Sequence, residues 1–381
     1  LGSVDQATVI VSNSRGMKEI IDNLSKINPH ITCITYTRLI KILYSDYICK
    51  ADEEYIDSQK SSCVLLECLG GIKLGGLEKW NIQLVKAFKN DFQFEFISNG
   101  EIDSEWETAS FIVNQIDVNS IFDTSKNNVN KLIEIIKKHI PCTVVCNHPN
   151  AAVIAAYAVK RAYPESIKIV QIVHWEHDDA LDNVATLSDL TDIIVGVSED
   201  TICRKLNQNY GITRDKLISF TCPITVNTDR THYYLKDGII RIGCACRFDY
   251  NQKRIDRIID VASELKKRNI RFNLEFVGAG NYQSEMIRLI EHKGLNDVVA
   301  IKGLLKEKNM VEFWYGKDIS INLSTWEGKS LSMLESMACG VINVVTDVSG
   351  VRDVIEDKKN GFIVSQNDYL DEVDIIELLS K

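Results

Sequence analysis

The sequence predicts an α/β protein with two domains, each built on a parallel sheet. Short β-branched runs alternate with amphipathic segments such as Leu77–Phe88 and Ile255–Lys267, a pattern typical of parallel sheets with helices on both faces. The alternation stops between Phe220 and Asp237, where Pro223 and polar residues show no periodicity, which predicts a linker. The predicted strands are Thr8–Ser12, Ile31–Tyr36, Cys63–Cys68, Gln93–Ile97, Phe111–Val113, Thr143–Asn147, Ile167–Val173, Ile193–Val197, Ile240–Cys246, Asn273–Val277, Val298–Lys302, Ile319–Leu323 and Ile342–Thr346.

Three segments follow from the length and the linker. The chain has 381 residues, and one domain per ~150 residues suggests two or three domains. We assign residues 61–225 to the first α/β domain and residues 226–381 to the second. Residues 1–60 are an extra βαβα segment, belonging either to the first domain or to the tail of an upstream one. The opening Leu1-Gly2-Ser3 resembles a protease-cleavage scar, which leaves open that the chain is a piece of a longer protein.

Composition excludes several classes of protein. Hydrophobic residues are 45% and charged residues 25%, which is ordinary for a globular protein and argues against disorder. No apolar run reaches the ~18 residues that cross a bilayer. The net charge of −9 argues against broad nucleic-acid binding. The 11 cysteines are scattered and match no zinc spacing, which favours free thiols in a reducing cytosol and hence a cytoplasmic protein.

The strongest functional signal lies between Asn322 and Val364. A predicted strand is followed by the tight segment Ser324–Gly328, and a helix is predicted to start near Ser330 and to end at Gly340. The start of a helix offers unpaired N–H groups at its positive dipole end, which suits a diphosphate. The backbone that would offer this site belongs to Gly328, Lys329, Ser330 and Leu331.

Two carboxylates bracket this helix start. Glu327 lies just before it, and Glu335 lies more than one turn inside the helix. A nucleoside diphosphate sugar needs acceptors for sugar hydroxyls on one side of its diphosphate and for ribose hydroxyls on the other. The alternative for each residue alone is a solvated glutamate on a helix.

These residues resemble the donor site of the retaining GT-B glycosyltransferases, family 4 in particular. The residues kept are Ser324, Glu327, Gly328, Leu334, Glu335, Met337, Ala338, Gly340, Val344, Thr346 and Gly350. The chain departs from the family at Lys329 and Ser330, where an aromatic residue and a Gly are frequent, and at Asn343, where Pro is common. The resemblance implies a GT-B fold, with two Rossmann-like α/β/α domains facing a central cleft, and a nucleotide-sugar donor.

A second family element follows the strand Ile240–Cys246. The resemblance implies that Arg247 and Lys253 contact the donor diphosphate, and two cations there would neutralise a leaving pyrophosphate. The spacing is one residue longer than usual, so Arg254 is an alternative to Lys253. The family also places a turn such as Gly278-Ala279-Gly280 near the nucleotide and a backbone such as that of Leu304 near the base.

The first domain carries further candidates. The resemblance implies that Gly75 and Gly76 open a helix against the diphosphate and donor sugar, and that His174 lies beside the donor sugar and the acceptor. His148 and His177 also follow predicted strands, with surface or structural roles as their alternatives. His174-x-x-His177 is a poor metal site, and we assign no metal.

The resemblance thus implies a retaining hexosyltransferase of polysaccharide biosynthesis, using a nucleotide-diphosphate sugar, with UDP expected, and no metal or other cofactor. Its acceptor would be a glycan, a lipid-linked saccharide or a protein. The alternatives are a catalytically weak or dead GT-B module of a larger glycan-assembly protein, and a phosphorylase or synthase on the same fold. Lys131–Lys138 is a candidate for peripheral contact with the inner face of the membrane, with a solvated helix face as its alternative.

Overall fold

The computed structural model divides the chain into two compact units, Leu1–Thr221 and Cys222–Lys381, here called unit 1 and unit 2. It describes residues 7–11, 31–35, 63–68, 71–72, 75–102, 112–115, 125–147, 151–224, 238–367 and 370–380. The predicted boundary between residues 225 and 226 lies outside the described residues, as does most of the predicted segment 1–60. Both therefore stay predictions.

Unit 1 contains a seven-stranded parallel sheet and a separate pair of parallel strands. Its strands are β1 (Ala7–Val11), β2 (Ile31–Thr35), β3 (Cys63–Glu67), β4 (Gln93–Ser98), β5 (Ile112–Gln115), β6 (Cys142–Cys146), β7 (Ile167–Val173), β8 (Ile193–Gly196) and β9 (Leu217–Ser219). The order in the large sheet is β5-β4-β3-β6-β7-β8-β9, and β1 pairs with β2. Its α-helices are α1 (Gly76–Phe88), α2 (Lys126–Lys138), α3 (Ala151–Ala162), α4 (Asp178–Leu187) and α5 (Arg204–Tyr210).

Unit 2 contains a six-stranded parallel sheet. Its strands are β10 (Ile240–Ala245), β11 (Phe272–Val277), β12 (Val299–Ile301), β13 (Ile319–Asn322), β14 (Ile342–Thr346) and β15 (Phe362–Val364). They follow the order β12-β11-β10-β13-β14-β15. Its helices are α6 (Tyr250–Lys253), α7 (Ile255–Lys267), α8 (Gln283–His292), α9 (Glu307–Tyr315), α10 (Leu331–Ala338) and α11 (Leu370–Leu379).

The two parallel sheets confirm the predicted α/β class. Every predicted strand is present, with ends that differ from the predicted ones by at most two residues. The sequence reasoning missed β9 and β15, which have three residues each.

Each unit has its own hydrophobic core, between its sheet and the helices that pack on it. In unit 1 the core joins β3, β6 and β7 to α2 and α3, and residues 151–159 of α3 are all buried. Helix α2 turns Val129, Leu132 and Ile136 into this core and leaves Lys131 and Lys138 exposed. This amphipathic packing fits the alternative of a solvated polar face, and nothing in it supports the predicted membrane contact.

Among the described residues, no helix has both the length and the apolar character needed to cross a membrane.

Candidate functional site

The loop between β13 and α10, residues 323–330, is held in place by its own polar side chains. Asn322 donates from Nδ2 to Ser330 Oγ at 2.9 Å, and Ser330 Oγ in turn accepts from the Met333 backbone at 3.4 Å as the N-cap of α10. At the other end of the loop, Thr346 donates from Oγ1 to the Ser324 carbonyl at 2.5 Å. The predicted helix start is confirmed, and Gly340 ends the helix with a φ of 80°, as expected of a glycine cap.

Glu327 and Lys253 form a buried ion pair beside this loop. The side chains are 10% and 14% exposed, and Lys253 Nζ donates to Glu327 Oε1, which also accepts from Ser324 Oγ at 2.7 Å. Burial lowers the pKa of Lys253, but the nearby Glu327 carboxylate more than offsets this and raises the pKa above that of an ordinary lysine. Lys253 is therefore a cation throughout the neutral pH range.

The residues after β10 are tied to the same loop. Thr325 donates from its backbone to the Gln252 carbonyl at 2.9 Å, and Gln252 donates from Nε2 to the Trp326 carbonyl at 3.1 Å. Arg247 is exposed and donates from Nη2 to Gln252 Oε1 at 2.9 Å. The structure therefore brings Arg247, Lys253 and Glu327 together, although 74 residues separate the last two in sequence.

The structure also distinguishes Lys253 from Arg254. Arg254 has a φ of 45° and its guanidinium pairs with Asp256 at 3.1 Å, whereas Lys253 pairs with Glu327. Of these two adjacent cations, Lys253 is the one placed at the loop.

Lys329 has a structural partner. Its ammonium lies 2.7 Å from Asp353 Oδ2, and the two side chains are 4% and 9% exposed. The turn at Gly350 packs on the same segment, because a Cβ there would lie 2.7 Å from the Gly328 carbonyl oxygen. The side chain of Lys329 thus joins the loop to the turn after β14, which leaves the backbone of Gly328–Leu331 as the part that could meet an anion.

Glu335 is partly buried on the second turn of α10, on the same side as Leu331. Glu335 therefore lies on the helix that begins shortly after Glu327, as the spacing in the sequence predicts.

The predicted glycine-rich turn packs against the segment after β10. A Cβ on Gly278 would lie 1.9 Å from the Cys246 carbonyl oxygen, and one on Gly280 would lie 2.2 Å from the Phe248 carbonyl oxygen. Gly278 also donates to the Gly303 carbonyl at 2.9 Å, next to Leu304, which is 63% exposed. Close packing of the backbone is thus enough to explain why glycine stands at both positions.

In unit 1, polar residues meet at the carboxyl ends of the neighbouring strands β3, β6 and β7. His174 Nε2 lies 2.8 Å from Asn147 Oδ1, and Asn147 donates from its backbone N–H to Glu67 Oε2 at 2.9 Å. Trp80 packs edge-on against the His174 ring, with centroids 5.6 Å apart. Asn81 is also buried here, with its Oδ1 3.4 Å from Asn147 Nδ2. We call Glu67, Asn81, Asn147 and His174 the unit 1 network.

The other unit 1 candidates lie apart from these hydrogen bonds or outside the described residues. Gly75 is the N-cap of α1 and Gly76 its first residue, on the helix that carries Trp80 and Asn81. His177 is the exposed N-cap of α4 and makes no side-chain cap bond, and His148 lies outside the described residues.

Sequence reasoning missed Glu67, Asn81 and Asn147, which are all buried. Each is a single polar residue at a strand end or inside a helix, and no spacing links them in sequence. The only available signal was a polar residue adjoining an apolar strand, as in Leu66-Glu67 and Cys146-Asn147. Within the described residues, no group of three or more His, Cys, Asp or Glu side chains is arranged to hold a metal ion.

The GT-B fold is built from two parallel-sheet α/β units such as these. The solved structure of HepE from Anabaena in complex with UDP and glucose has this architecture, with a TM-score of 0.68 and 15% identity over 83% of this chain and 89% of HepE. The predicted fold class is confirmed. Residues 235–381, which lie in unit 2, match the model of the glycosyl transferases group 1.

Two curated relatives are similar to parts of the chain. The poly(ribitol-phosphate) alpha-N-acetylglucosaminyltransferase of Staphylococcus aureus (strain COL) is 31% identical over 132 residues, which is 34% of this chain and 26% of the relative. The N-acetyl-alpha-D-glucosaminyl L-malate synthase of Bacillus anthracis is 26% identical over 230 residues, 56% of this chain and 59% of the relative. The chain thus covers less than two thirds of either relative's length.

Proposed function

We propose that this chain is a glycosyltransferase that moves a hexose from a UDP-sugar to a glycan, lipid-linked or protein acceptor, with retention of configuration and without a metal. The observation that carries the proposal is the buried Lys253–Glu327 pair beside the start of α10, within the segment that matches the family. Support for UDP as the nucleotide comes from HepE, whose structure contains UDP and glucose.

Charge neutralisation is the first task of such a site. Transfer breaks the bond between the anomeric carbon and the diphosphate, and negative charge grows on the leaving group. Lys253 and Arg247, together with the N–H groups of Gly328–Leu331, are proposed to stabilise that charge. A fixed cation and a helix start can supply what a divalent metal supplies elsewhere, which is why we propose metal independence.

The two carboxylates take different roles. Glu327 is proposed to accept from donor sugar hydroxyls, and Glu335 from the ribose hydroxyls. Because Glu327 already accepts from Lys253 and Ser324 through Oε1, a donor diphosphate would compete for Lys253 and release Glu327 for the sugar. Retention would follow from attack of the acceptor hydroxyl on the face that the leaving group vacates, with a donor phosphate oxygen taking the proton.

Unit 1 supplies the remaining proposed roles. His174 is proposed to hydrogen-bond a hydroxyl of the reacting sugar or the acceptor. Gly76 has open space where a Cβ would stand, so packing within the chain does not require a glycine there. Close approach of a ligand to the start of α1 would account for it, in line with the proposed contact of Gly75 and Gly76 with the donor.

The test is release of UDP from UDP-glucose, UDP-galactose and UDP-N-acetylglucosamine, measured with and without excess chelator. Turnover of one donor that survives chelation, and that Glu327→Ala abolishes, is expected. Loss of turnover in chelator, restored by magnesium or manganese, would contradict metal independence. UDP binding without turnover would indicate a catalytically dead module, and dependence on inorganic phosphate a phosphorylase. The anomeric configuration of the product, read by NMR, tests retention.

A further inference from the structure

Asn147 is a buried amide whose orientation can be assigned from its neighbours. It is 6% exposed and follows β6, which lies between β3 and β7 in the sheet. One end of its amide lies 2.7 Å from the Glu67 carbonyl oxygen. A carbonyl oxygen only accepts, so the group that faces it must be the NH₂. The other end, 2.8 Å from His174 Nε2, is therefore the oxygen Oδ1.

This orientation fixes the proton of the His174 ring. Oδ1 of Asn147 carries no hydrogen, so the contact with Nε2 is a hydrogen bond only when Nε2 carries the proton. In a neutral imidazole, Nδ1 is then the acceptor nitrogen. Trp80, edge-on to the ring at an interplanar angle of 87°, restricts the rotation that would exchange the two nitrogens.

The amide itself is held against a flip. A rotation of 180° would turn Oδ1 of Asn147 toward the Glu67 carbonyl oxygen and toward Asn81 Oδ1, so that acceptors would face each other. The end of the Asn81 amide that faces the Asn147 NH₂ is its oxygen, and the other end, Nδ2, lies 3.1 Å from Cys68 Sγ. The backbone N–H of Asn147 is anchored separately on the Glu67 carboxylate.

We propose that Asn147 is a positioning residue that holds the proton of His174 on Nε2, so that His174 meets a sugar or acceptor hydroxyl through Nδ1. The inference rests on the proposed function of His174 and extends it to the ring nitrogen that would contact the hydroxyl. An amide oxygen is uncharged, so it orients the ring without the stabilisation of an imidazolium that a carboxylate would give. In its neutral form, His174 would then accept a hydroxyl hydrogen at Nδ1.

The first experiment needs no variant of Asn147. The protein is labelled with ¹⁵N-histidine, and the His174 ring is identified as the signal missing from His174→Ala. In the neutral wild-type ring, the proton is expected on Nε2. A proton on Nδ1, or an even mixture of both forms, overturns the proposal.

The second experiment compares Asn147→Leu with Gln171→Leu. Gln171 is a matched control, because it is a buried amide on β7 that bonds Tyr157 and Thr191 rather than His174. Asn147→Leu is expected to populate the Nδ1–H form and to lower kcat at least about tenfold with little change in donor KM. Gln171→Leu is expected to do neither. An unchanged tautomer in folded Asn147→Leu overturns the proposal.

A double-mutant cycle with His174→Ala separates positioning from general damage. If Asn147 acts through His174, the double variant should turn over at the same rate as His174→Ala alone. If the two single-variant losses of kcat instead multiply in the double variant, the proposal is overturned. Failure of the proposed function looks different. In that case the wild-type chain transfers no sugar, while the tautomer measurement still gives its own answer. If the leucine variant does not fold, Asn147→Ser takes its place in the same comparison.

Discussion

The two polar sites of this molecule are built in opposite ways. In unit 2 the site residues are charged, and most follow one another along the chain from Asn322 to Glu335. In unit 1 the network consists of two amides, a glutamate and a histidine, and its members come from the ends of three separate strands and from α1. The contrast suggests two tasks. A fixed ion pair can exchange partners with a charged ligand, whereas a set of buried amides holds one ring in one orientation.

The largest effect is expected from Lys253→Ala. Lys253 is proposed to stabilise the leaving group, so its loss should lower kcat about 10²–10³-fold. The change also leaves Glu327 buried without its counter-charge, which should destabilise unit 2 by about 3–5 kcal/mol. Turnover and urea denaturation measure the two effects. Arg254→Ala is the control, because the partly exposed pair with Asp256 should contribute about 1 kcal/mol or less.

A comparable loss in Arg254→Ala would show that the pairing was assigned to the wrong cation.

The pH dependence of stability is a second test of the Lys253–Glu327 pair. Because the pKa of Lys253 is raised, the stability that its charge contributes is present below the ordinary lysine pKa. It is lost only as the pH rises through the raised value, so this group should not titrate between pH 6 and 9.

Glu335→Ala should weaken UDP binding without much effect on folding. Glu335 is proposed to accept from the ribose hydroxyls, and loss of such a charged acceptor costs about 1.5–3 kcal/mol, or roughly 10- to 150-fold in Kd. Calorimetric titration with UDP measures the change. Glu327→Gln is the contrast, because it frees Lys253 for the diphosphate and should not weaken UDP binding while turnover falls. Equal losses of UDP affinity in both variants would contradict the division of roles between the two carboxylates.

Substitutions at two glycines distinguish a glycine that close packing requires from one that ligand approach would require. Gly278→Ala should destabilise unit 2 by at least about 2 kcal/mol, because φ is 144° and the new Cβ would lie 1.9 Å from the Cys246 carbonyl oxygen. Gly76→Ala in unit 1 meets nothing within 4 Å and should stabilise by about 0.4–1 kcal/mol while lowering turnover. Thermal unfolding and UDP release measure both. A Gly76→Ala variant with wild-type turnover would remove the argument for ligand approach at α1.

The smallest effect concerns two cysteines, one at each site. A hydrogen bond from Cys244, whose Sγ lies 3.7 Å away, lowers the pKa of Cys246, and Lys253 contributes further. Burial raises the pKa of Cys146 in unit 1 well above that of a free thiol. The rate of Cys246 alkylation should therefore reach half its maximum below pH 9, while Cys146 stays unreactive. Mass spectrometry of iodoacetamide-treated protein measures both rates, and equal rates would contradict the assigned environments.

Much of unit 2 could be predicted from sequence because its site is local. The capping serine, the acidic residues and the glycines lie within one strand–loop–helix segment, so their spacing alone predicts how they stand around the start of α10. The partner of Lys329 could not be predicted from sequence, because Asp353 is brought to it only by the turn after β14. The choice between Lys253 and Arg254 was equally out of reach, because it depends on the left-handed backbone at Arg254.

The sequence by itself determined the α/β class, the parallel sheets and the segment that carries the family motif, because apolar periodicity and glycine caps are local properties. Only the tertiary structure decided which side chains share a hydrogen bond. Glu67, Asn147 and His174 lie up to 107 residues apart in number, and nothing in the chain marks them as partners until β3, β6 and β7 pair side by side. Parallel pairing brings the carboxyl ends of strands to one edge, and that long-range event turns three isolated polar residues into one network.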